Sequence, residues 1–138
     1  MGNATLGPAG EYLTALEAAA KTASWLYDKY PYIKAYLDGP KSLEELQRDG
    51  GKRETGYEVH HIVEQTAARD GHSREDIDGP DNLVRIPTLK HWEITGWYMT
   101  PNEDFGYLSP REYLRGKSWE EKRRVGLDAL IDSGVLKP

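Results

Sequence analysis

The chain has 138 residues, enough for one domain with a single modest core. Its 38% hydrophobic and 30% charged residues exclude a disordered chain, and no apolar run nears the roughly 20 residues of a membrane span. Cysteine is absent, which excludes disulfides and thiolate metal sites, and the net charge of −5 runs against a protein that grips polyanions over a broad basic face.

The first nine residues, MGNATLGPA, read as a flexible start or linker, with a single domain over 10–138. They lack the basic start and apolar stretch of a signal peptide. Leu13, Leu16, Ala20, Ala23 and Tyr27 recur at three- and four-residue steps, which predicts a helix over 11–30 that Pro31 interrupts. A further turn or two over 32–37 stops at Gly39-Pro40. Ser42, with Glu45 three residues on, is a capping box that opens a short helix, and Gly50-Gly51 ends it. The aromatic residues Trp25, Tyr27, Tyr30, Tyr32 and Tyr36 read as packing residues of a helical scaffold rather than as a base-stacking platform.

Residues 57–63, YEVHHIV, are rich in β-branched and aromatic side chains and predict a strand. Residues 64–81 are polar, with Gly71, Gly79 and Pro80, and read as a long loop with room for one helical turn. Within it, His72 reads as a solvated residue. Residues 83–86, LVRI, predict a second strand, and Pro87-Thr88 opens a helix to about Tyr98 that turns Trp92 and Trp97 to the core. In the tail, Ser109-Pro110-Arg111-Glu112 and Ser118 to Glu121 are helix starts, and Trp119, Lys122, Val125, Leu127, Leu130 and Ile131 form a mostly apolar stripe that Gly134 caps. This tail is expected to act as a lid or buttress. The fold class is α+β: strand, long loop, strand and helix, flanked by N-terminal and C-terminal helices.

His60 and His61 fall on the first strand, Asn82 just before the second, and His91 on the helix after it. These residue types match what phosphodiester hydrolysis requires: an activated water, a neutralised phosphate and a protonated leaving oxygen. A histidine near neutrality takes a proton from water. A divalent cation on two or three protein ligands neutralises charge on the phosphate. An asparagine can hold a neighbouring imidazole in place. Adjacent residues of an ideal strand face opposite ways, so both histidines share one site only on a twisted or bulged strand end. One would then ligate metal while the other stays free as base.

The segments YEVHHIVEQ, DNLVRIP and LKHWEI together resemble the HNH, or His-Me finger, motif of nuclease colicins, phage and homing nucleases and polymorphic bacterial toxins. The likeness covers about 57–98, under a third of the chain. It implies a ββα-metal core in which His60 and His91 ligate one divalent ion (Mg, Mn, Ni or Zn), His61 is the general base and Asn82 the orienting asparagine. Thr95 stands where some members place a further histidine, and the usual proline soon after the His-Ile pair is missing. The third ligand is thus left to water or an oxygen donor, with Glu64 one candidate. The resemblance further implies an endonuclease, with DNA favoured as substrate by family analogy. It implies a toxin or effector domain acting in the cytoplasm of a target bacterium and restrained by an immunity protein in the producing cell. Basic side chains outnumber acidic ones from Arg85 to Arg124, and Arg85, Lys90, Arg111 and Arg115 are the expected phosphate contacts. A reading from a different class is a catalytically inactive module with the same fold that binds nucleic acid or protein. The acidic balance favours it, and the intact His61 opposes it.

Overall fold

Two short strands sit at the centre because their residues alternate in polarity. In the computed structural model, which describes residues 7–138, β1 (Tyr57–His61) pairs antiparallel with β2 (Leu83–Pro87). The register runs from Tyr57↔Pro87 to His61↔Leu83 with no inserted residue. Glu58 and His60 therefore share a face with Ile86 and Val84, while Val59 and His61 share the other with Arg85 and Leu83. Val84 and Ile86 are fully buried. Helix α4 (Thr88–Met99) leaves β2 directly and packs on both strands, contributing Ile94 and Tyr98 to the core.

Helix α1 (Gly7–Tyr36) is continuous through Pro31, so the expected interruption does not occur. Proline deletes one backbone donor, but the turn beyond it is anchored by buried Ala35 and by Tyr36, whose hydroxyl donates to Glu93. Pro31 marks a boundary of another kind: the chain divides into two compact units between Pro31 and Tyr32. In the first unit, residues 11–30 are exposed throughout, including Leu13, Leu16, Trp25 and Tyr27. The first six residues of the expected flexible start lie outside the described residues.

In the second unit, α2 (Leu43–Arg48) starts on the predicted capping box, with the Ser42 side chain accepting from the Glu45 amide and Glu45 reaching back to Ser42. The stretch between the strands is more ordered than its composition implies. It holds 3-10 turns at Gln65–Asp70 and Pro80–Asn82 and the short helix α3 (Arg74–Ile77). The glycine and serine there are helix punctuation. Gly71 ends the first turn at φ 88°, and Ser73 caps α3 by accepting from the Asp76 amide. Val63, Ala67 and Ile77 make a small second core covered by Trp119.

The tail forms α5 (Pro110–Tyr113) and α6 (Trp119–Asp132), capped by Ser109 and Ser118. Helix α6 ends at Gly134, φ 78°, with Gly134 N–H donating to Ile131 and Val135 N–H to Leu130. It packs closely on the chain just past β1: a Cβ on Gly126 would lie 2.0 Å from the Ile62 carbonyl oxygen. The architecture is thus α+β, mainly helical with one two-stranded antiparallel sheet. Among the described residues no helix is long and apolar enough to cross a membrane.

Candidate metal and catalytic site

Strand alternation separates the adjacent histidines. His60 turns under α4 and is 4% exposed; there its Nδ1 lies 3.0 Å from His91 Nδ1, the two rings meeting edge-on. His61 turns to the other face, where its Nε2 lies 3.0 Å from Asp78 Oδ1. The regular register supplies no bulge that would turn both rings to one side.

Burial first, then repulsion by His91 and by His61, pushes the His60 imidazole down to about 3. His60 is therefore neutral at physiological pH and keeps a lone pair for a ligand or a hydrogen bond. Its Nε2 is buried with no partner, an unusual state for a polar atom in a core. His91 Nε2 lies 3.7 Å from Glu58 Oε2, placing a carboxylate behind the ring on the side away from His60. Carboxylates in that position orient metal-bound imidazoles.

These side chains fit an implied divalent ion in one respect. Two imidazole nitrogens 3.0 Å apart match neighbouring donors around an ion held at roughly 2.0–2.1 Å. The expected third donor does not join them. Glu64 is engaged by Arg111, whose Nε lies 3.2 Å from both carboxylate oxygens. Among the described residues no group of three histidine, aspartate or glutamate side chains converges. An ion here would take its remaining ligands from water or substrate.

Asn82 does not touch an imidazole. It is 1% exposed, and its side chain grips backbone: Oδ1 accepts from Val63 N–H at 2.8 Å, and Nδ2 donates to Val63 O at 3.0 Å and Ile77 O at 2.9 Å. The amide thus locks the exit of β1 to the end of α3. It orients the site through the main chain.

Three of the four expected phosphate contacts are occupied. Arg85 pairs with Glu54 at 2.9 Å and lies over the Tyr57 ring. The Lys90 ammonium stands 4.2 Å above the Tyr36 ring. Arg111 holds Glu64. Arg115 is exposed and makes no ion pair among the described residues. It borders a pocket of about 420 Å³ with Arg69, Arg111, Glu64 and Lys122, the last buried on Asp70 at 2.6 Å. His72 is half-buried against Trp119 rather than solvated, and Trp92 is exposed whereas Trp97 packs on the core.

The composition gave no sign of Asp78, Glu58 or Arg69. Asp78 lies 17 positions from His61 in a polar stretch where carboxylates are common, so only the fold pairs them. Glu58 was legible by alternation, being two residues before His60. No protein-family model, curated protein or solved structure matches the chain.

Proposed function

We propose that the chain is a metal-dependent endonuclease domain of the HNH, or His-Me finger, type, with β1, β2 and α4 as its ββα-metal core. The convergence of buried, neutral His60 on His91 carries the reading. His60 and His91 would hold one divalent cation, which when bound neutralises charge on the scissile phosphate and leaving oxygen. His61, the next residue of β1 but on the opposite strand face, would accept the proton of the attacking water at the strand end. Asn82 keeps the β1 exit and α3 in register. Arg115 and Arg69, exposed at the pocket that Glu64 and Arg111 also line, would contact neighbouring phosphates. DNA is the favoured substrate, and a bacterial toxin domain with an immunity partner the favoured setting; both rest on the motif's resemblance alone.

The test is plasmid nicking with magnesium, manganese, nickel or zinc against EDTA. The wild-type chain should cut in at least one metal, and His61→Ala should cut roughly 10²–10⁴-fold more slowly, the usual range for a lost general base. Equal cutting by His61→Ala refutes the assignment. The pairing of Arg85, Arg111, Lys122 and Arg124 with carboxylates favours a second reading, a non-catalytic binding module. That reading requires no cutting in any metal.

A further inference from the structure

The ring of His61 is held by a carboxylate that nothing in the HNH pattern assigns. Asp78 Oδ1 lies 3.0 Å from His61 Nε2. An aspartate below its usual range is acceptor-only, so the proton between them belongs to Nε2. Among the described residues His61 Nδ1 makes no hydrogen bond, and the His61 side chain is 19% exposed.

The carboxylate is itself fixed. Arg74 Nη2 donates to Asp78 Oδ1 at 2.8 Å and Oδ2 at 2.9 Å, and also to Gln65 at 3.1 Å. The main chain is fixed at both ends of the pair by one buried amide. Asn82 binds Ile77, one residue before Asp78, and Val63, two residues after His61. The main chain that carries both side chains is thus held by a buried amide, while the Asp78 carboxylate itself is about half exposed.

We propose that Asp78 is the positioning residue for His61: it keeps the proton on Nε2 and leaves the Nδ1 lone pair to receive the proton of water. The catalytic consequence rests on the nuclease reading; the hold on the ring rests on the contacts alone. Asp78 touches no reacting atom and acts only through the histidine.

Asp78→Ala removes the acceptor and frees the ring, whereas Asp78→Asn keeps one acceptor oxygen for the position that His61 and Arg74 share. Long-range ¹⁵N–¹H spectra of the full chain read the tautomer directly. Wild type should carry the proton on Nε2, Asp78→Ala a mixture, and Asp78→Asn, the conservative variant, should restore the Nε2 tautomer in part. In nicking assays kcat should fall roughly 10²–10⁴-fold in Asp78→Ala and recover in part in Asp78→Asn, with KM unchanged. A residue that served stability alone would leave the tautomer of His61 unmoved. A wild-type tautomer in Asp78→Ala, or wild-type cutting by that variant, overturns the proposal. If wild type cuts nothing in any metal while the tautomers shift as stated, the nuclease reading falls and the hold of Asp78 on His61 stands.

Discussion

The buried His60 should make the metal-free fold sensitive to mild acid. Its folded value of about 3 lies below the ordinary 6.5 because burial, then His91 and His61, disfavour the imidazolium. Below pH 6.5 the unfolded chain takes up a proton that the folded chain refuses, so acid draws the equilibrium towards unfolding. Stability contributed by neutral His60 is full above pH 6.5 and is lost as pH falls towards 3. At about 1.4 kcal/mol per pH unit, roughly 2 kcal/mol is lost by pH 5. Asp49, Asp70, Asp78, Glu45 and Glu121 are all held low, chiefly by side-chain hydrogen bonds, and weaken the fold in the same direction. Their unfolded values of 3.8 and 4.5 place most of that loss below pH 5, which leaves the interval from 6.5 to 5 to His60. The assay is urea unfolding in EDTA at half-unit pH steps, where about 2 kcal/mol should move the midpoint by roughly 1 M. His60→Gln shifts the whole curve but should flatten it. A flat wild-type curve, or the same slope in His60→Gln, refutes the account.

Two further outcomes follow from packing and charge. Gly126→Ala places a methyl against the Ile62 backbone carbonyl, so α6 must shift off the chain just past β1, at about 1–3 kcal/mol or more; an unchanged urea midpoint would show that the helix yields freely. In a salt series with catalytically dead protein, Arg69→Ala/Arg115→Ala should reduce the slope of log affinity against log salt by roughly 0.7–0.9 per lost phosphate contact, whereas Arg85→Ala should leave it unchanged; parallel slopes for the double variant would move the phosphate grip away from the pocket.

Much of the local structure was legible because it is written in short-range chemistry. Ser42 with Glu45, Ser109 with Pro110, Ser118 with Glu121, and Gly134 each mark a helix end found where they stand. The strands followed from β-branched alternation, overshooting β1 by two residues at Val63, where the chain already turns into the loop. What periodicity failed to decide is whether an apolar stripe finds a partner. Leu13, Leu16 and Tyr27 recur as a buried face would, yet are exposed. Pro31 was misjudged because a proline penalty is local, while the helix beyond it is held by tertiary contacts at Ala35 and Tyr36. At the site, the HNH resemblance implied the meeting of His60 with His91, but the partners of His61, Glu64 and Arg111 are long-range pairings with no local signature.

On the proposed reading, with His60 as metal ligand and His61 as base, the adjacency of the two histidines acquires a physical meaning from their separation. A metal-binding imidazole must be neutral and preorganised, which a dry site favours; a base must exchange protons with water, which a dry site prevents. One pocket cannot readily satisfy both demands. A strand end can, because consecutive side chains leave the backbone in opposite directions. His60 meets His91 under α4, while His61, 19% exposed at its side chain, meets Asp78 at the rim. Asn82 then has to hold the β1 exit and the α3 end together, since a slip of one residue would exchange the two environments and place the wrong imidazole in each. Its own burial and backbone grip suit that task better than a direct bond to either ring would.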